Sequence, residues 1–216
     1  TVATAKNQVI DVRTEIVQDG GTADVVLCSP GFYALILKAA GSGYMQFLPV
    51  ADRPEWAISA AGWGDFLCSI FDIWIKEDVG RVFVNHFDAA LCSWCGERRG
   101  TCIFDSTCRP NAVVEHNGDI FPCDHFVTPD HLAGNVTDTP LREAINSQQM
   151  VRFCLEKRNS LPGKCLSCKY LFACGGECPQ HRDATGLNAL CEGYYKFFEH
   201  AAPRLAQMRD RIFGQA

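Results

Sequence analysis

The amino-acid sequence predicts a two-part α/β protein, and three observations support this prediction. Of the 216 residues, 47% are hydrophobic and 21% are charged, which is typical of a soluble globular chain with one or two domains. A helix–strand–helix pattern in the first part indicates one piece of an α/β layer. Nine of the thirteen cysteines lie between Cys102 and Cys191, which indicates a second, cysteine-rich α+β unit. We expect the boundary near residues 96–100.

Composition also excludes several classes of partner. The formal net charge of −5 gives no indication of binding to nucleic acid or to an anionic membrane surface. No apolar run is long enough for a membrane span, and no secretion signal precedes the first periodic segment. We therefore predict a cytoplasmic protein without nucleic-acid or membrane partners. Because the chain begins at Thr1 rather than Met, we expect a fragment or a processed product.

The first unit contains three predicted elements. The apolar segment Phe32–Leu37 predicts a buried helix, and the alternating segment Tyr44–Val50 predicts a strand. Apolar residues in Trp63–Ile75 recur at i, i+3, i+4, i+7 and i+8, which predicts an amphipathic helix. Residues 1–27 show little periodicity and remain unassigned.

The second unit opens with a predicted hairpin. Its strands are Ala112–His116 and Asp119–Phe121, and Asn117-Gly118 between them is a strong two-residue turn signal. This turn places the next cysteine, Cys123, at the end of the second strand.

Two helices are predicted in the rest of the chain. Thr139-Pro140 resembles an N-cap followed by proline at the first helical position, so a helix is expected from there to about Arg158. A closing helix follows over Tyr194–Ile212, where Pro203 is expected to introduce a kink.

The cysteines of the second unit indicate metal binding. Cys154 lies within a predicted helix and is interpreted as a small buried apolar residue. The remaining eight form two sets of four, and four thiolates suit either a zinc ion or a cubane iron–sulfur cluster. They are Cys102, Cys108, Cys123, Cys165, Cys168, Cys174, Cys178 and Cys191. Disulfides are the less favoured alternative, because cytosolic thiols stay reduced.

The spacing of these cysteines favours clusters over zinc. Zinc sites usually consist of two short C-x₂₋₄-C knuckles, whereas here only Cys165 and Cys168 form a tight C-x₂-C pair. Zinc nevertheless remains an alternative. Spacing also does not decide how the eight ligands divide into two quartets.

Two further cysteine patterns are given less weight. Cys174, Cys178 and His181 resemble the C-x₃-C-x₂-C loop of radical S-adenosylmethionine (SAM) enzymes, but histidine stands in the third place and no barrel strand is near, so we reject that function. Cys92 and Cys95 form a C-x₂-C pair. We interpret them as incidental thiols, with a third metal site as the alternative.

Several long motifs resemble the C-terminal portion of anaerobic sulfatase-maturating enzymes. They are "CIFDSTCRPNAVVEHNGDIFPCDHFV", "LAGNV", "LPGKCLSCKYLFACGGECPQHR" and "CEGYYKFF", preceded by "YMQFLPV" and "WGDFLCSIFDIWIKEDVGRVFVNHFDAAL". The resemblance covers about residues 31–200. It implies that 1–98 is the remnant of a partial (β/α) radical SAM barrel and that 99–216 is a SPASM domain with a C-terminal helix.

The resemblance also implies two auxiliary [4Fe–4S] clusters and divides the cysteines between them. The first cluster would have the ligands Cys102, Cys108, Cys123 and Cys178. The second would have the ligands Cys165, Cys168, Cys174 and Cys191.

The implied activity is oxidation of a cysteine or serine of a sulfatase polypeptide to formylglycine. In this family the aspartate after the hairpin cysteine, here Asp124, is the proposed general base, which would accept the hydroxyl or thiol proton of the substrate. The alternative for Asp124 is a hydrogen bond within its own turn, and the neighbouring His125 is interpreted as structural. Leu48, near the end of the predicted strand, would contact the adenine of SAM through its backbone, and the alternative is an ordinary strand residue. An electron-transfer protein is a further expected partner.

One departure from the family pattern limits what this chain can do. The SAM-cleaving C-x₃-C-x₂-C loop does not occur before Cys102, so the third [4Fe–4S] cluster and SAM are expected only in a longer enzyme. We expect the chain alone to be inactive. The alternatives are a non-catalytic iron–sulfur or zinc module for peptide docking or electron transfer, and a relative that modifies another peptide.

Overall fold

A computed structural model describes residues 43–49 and 57–214 of the chain. The predicted helix at 32–37 and the unassigned residues 1–27 lie outside this range. The described residues form two compact units: those up to Cys95 and from Leu190 onward form the first, and Gly96–Ala189 form the second. The closing helix thus packs in the first unit, although it follows the cysteine-rich segment in sequence. The domain limits 1–98 and 99–216 remain a prediction.

The first unit contains a parallel pair of strands. Strand β1 (Tyr44–Met45) pairs with β2 (Phe83–Val84), and Tyr44 lies opposite Phe83. The Phe83 N–H also donates to the Gly43 carbonyl at 2.8 Å. The regular strand ends at Met45, so it is shorter than the Tyr44–Val50 segment that the alternation predicts. Parallel neighbours need a crossover connection, and here a helix lies between them in sequence.

That helix, α1 (Ala60–Glu77), confirms the amphipathic pattern in the sequence. Ser59 caps its start, because the Ser59 hydroxyl accepts the Gly62 N–H at 3.1 Å. Its apolar stripe is almost fully buried and consists of Trp63, Leu67, Ile70, Phe71 and Trp74. Helix α2 (Asn85–Cys95), which the sequence analysis did not predict, follows β2 directly.

In the second unit, the predicted hairpin is confirmed and extended. Strands β3 (Val113–Val114) and β4 (Asp119–Phe121) pair antiparallel around a turn in which Gly118 has φ 88°. The sequence analysis missed a third strand, β5 (Gly134–Asn135), which pairs with the other edge of β4. Cys123 follows β4 after a single residue, so the sheet determines where this thiol lies.

The helices of the second unit are short. They are α3 (Leu141–Ile145), α4 (Gln148–Asn159), α5 (Gly163–Leu166) and α6 (Leu171–Cys174). The single helix predicted from Thr139 to Arg158 is therefore wrong in two respects. The helix begins at Leu141 after Pro140, and a break at Ser147 divides it, because the Ser147 hydroxyl caps α4 by accepting the Met150 N–H at 3.2 Å.

Helix α7 (Cys191–Ile212) completes the first unit and continues through Pro203. It packs against α1, and its buried face includes Tyr194, Phe197 and Phe198. No helix in the described part of the chain combines the length and apolar character needed to cross a membrane.

Helices α1 and α7 approach each other closely at two glycines. A Cβ on Gly64 would lie 3.0 Å from the Gly193 Cα, and a Cβ on Gly193 would overlap the Ala60 carbonyl. The absence of side chains at both positions therefore sets the distance between the helices.

We expect Gly193→Ala to destabilise the first unit by about 1–3 kcal/mol, because the added methyl must push the two helices apart. The measurement is the free energy of unfolding from denaturant titration. The control is Gly163→Ala in α5, where a Cβ meets nothing within 4 Å. Equal stability of the two variants would contradict the close approach.

Candidate metal centre

The four predicted ligands of the first quartet come from three separate segments of the second unit. Cys102 and Cys108 bound a loop before the hairpin, Cys123 follows β4, and Cys178 follows α6. All four are thiols that form no disulfide.

Burial and neighbouring charges raise the pKa values of three of these thiols. For Cys108 burial is the main cause, Lys157 opposes it, and negative charge on Cys154 and Cys102 raises the pKa further. Burial also raises the pKa of Cys178 to about 11, with contributions from Glu177 and Cys108. For Cys123 the pKa rises to about 12 through burial, Asp124 and Cys178. A multiply charged cation or cluster is what would stabilise the thiolate forms of Cys108, Cys123 and Cys178.

The loop between Cys102 and Cys108 packs against the segment after α6. A Cβ on Gly175, which has φ 61°, would overlap the carbonyl oxygens of Phe104 and Asp105. Only glycine therefore permits the two segments to approach this closely. The other end of the loop is fixed by the Cys108 N–H, which donates to the Cys154 carbonyl at 3.0 Å.

Lys157 of helix α4 contacts the beginning of the Cys102–Cys108 loop. Its side chain is buried, with 1% of the residue exposed, and its ammonium donates to the carbonyls of Cys102 at 2.6 Å and Ile103 at 2.9 Å. Burial lowers the pKa of Lys157, and this effect is opposed by negative charge on Cys108, Glu177, Cys102 and Cys178. The ammonium therefore contacts the backbone at Cys102, the first predicted ligand of this quartet.

Glu177 is a second buried charged residue in the same region. It is 1% exposed and has a positive φ of 54°, which is unusual for a residue other than glycine. Its carboxylate accepts from the Cys178 N–H at 2.5 Å and from the Asn188 amide at 2.5 Å. The His181 Nδ1 lies 3.1 Å from it. These contacts fix the backbone immediately before Cys178.

Asp124 begins a 3₁₀ turn directly after Cys123. It is exposed and accepts a hydrogen bond from the Cys123 thiol at 3.2 Å, and this bond is the main cause that lowers the pKa of Asp124. The neighbouring His125 reaches across the site, where its Nδ1 lies 3.5 Å from the Cys178 sulfur. Asp124 therefore contacts the thiol of Cys123, whereas His125 contacts that of Cys178.

The predicted ligands of the second quartet are distributed differently. Cys165 lies in α5, Cys168 lies two residues after that helix, and Cys174 ends α6. The Tyr170 N–H donates to the Cys168 sulfur at 3.4 Å, which orients that side chain inside the turn. Cys191 is the first residue of α7 and belongs to the first unit.

Within residues 43–49 and 57–214, no group of three or more His, Cys, Asp or Glu side chains is arranged to hold a single metal ion. The ligands of a cubane bind different iron atoms and do not share one coordination sphere. Leu48 is 68% exposed and lies beyond the end of β1.

Sequence analysis missed Lys157 and Glu177, although one signal for Lys157 was available. Met150, Cys154 and Lys157 are spaced i, i+4 and i+7, so they share one face of α4, and all three are buried. Within a run of charged residues, however, a lysine is usually exposed. Glu177 has no comparable signal, because its burial depends on contacts with Asn188 and His181.

A family model matches residues 102–169 and describes SPASM, an iron–sulfur cluster-binding domain. The serine-type anaerobic sulfatase-maturating enzyme of Bacteroides thetaiotaomicron is 38% identical over 199 residues, which are 80% of this chain and 48% of the relative. The cysteine-type enzyme of Clostridium perfringens is 27% identical over 183 residues, 78% of this chain and 49% of the relative. The chain spans about half the length of these curated relatives.

A similar solved structure is described as native anSMEcpe with bound AdoMet and Cp18Cys peptide. It superimposes with a TM-score of 0.73 at 26% identity, covering 84% of this chain and 54% of that one. A second structure, native anSMEcpe with bound AdoMet, has a TM-score of 0.72, also at 26% identity, and covers 83% of this chain and 52% of that one.

Residues 102–169 of the second unit therefore match the SPASM class of iron–sulfur cluster-binding domains. More specifically, the chain is homologous to the anaerobic sulfatase-maturating enzymes, which confirms the resemblance predicted from its motifs.

We expect Gly175→Ala to lower the iron content of the purified chain, because the added methyl would separate the Cys102–Cys108 loop from the segment that carries Cys178. The measurement is iron and acid-labile sulfide per chain after anaerobic purification. Gly100→Ala is the matched control, since Gly100 also has a positive φ (75°) but a Cβ there meets nothing within 4 Å. Equal iron content in both variants would show that the close approach is not required.

Proposed function

We propose that this chain is the C-terminal, cluster-bearing part of an anaerobic sulfatase maturase. The observation that carries the proposal is the match of residues 102–169, which include Cys102, Cys108 and Cys123, to an iron–sulfur cluster-binding domain. Close packing of Gly175 against the Cys102–Cys108 loop brings in the segment that carries Cys178. An all-sulfur donor set suits a [4Fe–4S] cluster. This quartet would hold the first auxiliary cluster. Cys165, Cys168, Cys174 and Cys191 would hold the second, following the pattern of the relatives.

The size of the hydrophobic core supports this proposal. Within Gly96–Ala189, a fully described segment, only eight apolar residues are buried, and they include small side chains such as Ala144 and Ala173. Regular structure there is limited to short strands and helices. Small cores of this kind commonly depend on a metal centre for stability, because binding free energy becomes folding free energy.

We expect the anaerobically purified chain to contain about eight iron and about eight sulfide atoms, as two [4Fe–4S] cubanes require. Cys178→Ala should lose about half of both, because it removes one ligand of the first cluster only. Cys154→Ala is the matched control: its backbone carbonyl accepts the Cys108 N–H at 3.0 Å, but we assign its thiol no ligand role. Zinc without sulfide in the parent chain would support the non-catalytic zinc module instead. Full iron content in Cys178→Ala would contradict the ligand assignment.

Asp124 is proposed as the general base of the longer enzyme. In such an enzyme, bound SAM and its cluster would supply the radical chemistry that removes hydrogen from the substrate Cβ. Asp124 would accept the proton of the substrate hydroxyl or thiol. Its hydrogen bond from Cys123 requires a protonated thiol, and a thiolate ligand cannot donate. Cluster binding at Cys123 would therefore leave the exposed Asp124 carboxylate available to a substrate.

The first unit is proposed to be the last part of a partial (β/α) barrel. Its parallel strands β1 and β2 and the intervening α1 are consistent with one βαβ repeat. Leu48 follows the carboxyl end of β1, where ligands of barrel enzymes bind, and we propose it as a backbone contact for adenine. The proposed partners are a sulfatase polypeptide and an electron-transfer protein, and the proposed location is the cytoplasm.

The Asp124 assignment can be tested in a chimera that joins this chain to the portion of the Bacteroides thetaiotaomicron relative that it does not match. We expect Asp124→Asn to lower formylglycine formation at least about a hundredfold, since the proton acceptor is lost, while 5′-deoxyadenosine formation continues. Mass spectrometry of a sulfatase-derived peptide measures the first product, and chromatography measures the second.

The control for this experiment is Asp138→Asn, another exposed aspartate of the second unit. It should leave both products unchanged. If Asp124→Asn formed the aldehyde at the parental rate, Asp124 would have a structural role only.

A further inference from the structure

We propose that Lys157 is the buried counter-cation of the first cluster site, where it positions the Cys102 loop and raises the reduction potential of the cluster. This inference rests on the proposed function, because it requires a cluster bound by the first quartet. It assigns a positioning and tuning role to a residue outside the ligand set.

The hydrogen bonds of Lys157 show how it positions the loop. Two of its three ammonium donors are directed at the adjacent carbonyls of Cys102 and Ile103. Two adjacent carbonyls held by one buried cation fix the backbone at the first ligand. The same helix holds the other end of the loop, because the Cys154 carbonyl accepts the Cys108 N–H. Helix α4 thus anchors the loop at both of its cysteines.

The charges around Lys157 point to a second effect. Its ammonium lies 2.6 Å from the backbone carbonyl of Cys102, the first proposed ligand, and the residue is only 1% exposed. A buried ammonium is costly without a negative partner, and a bound cluster with four thiolate ligands would supply that charge. A cubane with four thiolate ligands carries net negative charge, which becomes larger on reduction. A nearby cation that water does not screen therefore favours the reduced cluster.

The test compares reduction potentials in this chain, purified anaerobically with its clusters. Lys157→Met removes the charge and Lys157→Arg keeps it. We expect Lys157→Met to lower one of the two midpoint potentials by about 59 mV, so that at a fixed poise the ratio of reduced to oxidised cluster falls about tenfold for a one-electron couple. Titration monitored by electron paramagnetic resonance measures the shift. Arg158→Met is the matched control, since Arg158 is an exposed cation at the next position of α4.

Each outcome bears on the proposal. A lowered potential in Lys157→Met, with parental potentials in Lys157→Arg and Arg158→Met, supports it. Unchanged potentials in a Lys157→Met variant that retains both clusters overturn it and leave the proposed function intact. If Lys157→Met loses the cluster, Lys157→Gln provides a neutral donor of hydrogen bonds to the carbonyls.

A Lys157→Gln variant that holds the cluster at the parental potential overturns the charge role. Loss of the cluster from the Met and Gln variants, with retention in Lys157→Arg, supports it, whereas loss from all three variants contradicts it. A parent chain without iron and sulfide overturns both this inference and the proposed function. Unchanged potentials in a cluster-loaded Lys157→Met variant overturn this inference alone, so the two failures can be distinguished.

Discussion

The second unit depends on close packing between segments that are distant in sequence, because the Cys102–Cys108 loop contacts both the segment before Cys178 and helix α4. Burial and neighbouring negative charge both disfavour the thiolate forms of Cys108, Cys123 and Cys178. Close packing at Gly175 and the buried ammonium of Lys157 act on the protein side to keep the segments together. An iron–sulfur cluster would complete this balance by replacing the thiol protons with metal charge.

The two units are stabilised by different kinds of interaction. The first unit buries large apolar side chains, such as Trp74, Phe71 and Phe197, between long helices, and Gly64 and Gly193 allow α1 and α7 to approach closely. The hydrophobic effect is sufficient for such a layer. The second unit buries few large side chains and uses polar groups instead: Lys157 and Glu177 are both 1% exposed. A buried ammonium requires hydrogen-bond acceptors and a buried carboxylate requires donors, because a buried charge without partners is costly.

How well the sequence predicted each feature depended on whether its cause is local. The periodicity of Trp63–Ile75 predicted α1, and the Asn117-Gly118 turn predicted the β3–β4 hairpin. Strand β5 was missed because a two-residue strand has no pattern of its own and forms only through its partner β4. The break at Ser147 was missed because a capping serine inside an apolar-periodic segment resembles an ordinary helical residue.

In the candidate site, too, only features with a local cause in the sequence could be predicted, and Lys157 is a partial exception. The cysteines were visible in the sequence because thiols in such numbers are rare, but their spacing could not divide them into quartets. Lys157, which would affect the reduction potential of the site, is a common residue type, so composition does not distinguish it. Burial of Lys157 can be predicted only from its position on the same helical face as Met150 and Cys154, because lysine side chains are usually exposed. A cation on the apolar face of a helix in a cysteine-rich domain therefore indicates polar partners in the interior, and for Lys157 these partners are the carbonyls of Cys102 and Ile103 in the cysteine-bearing loop.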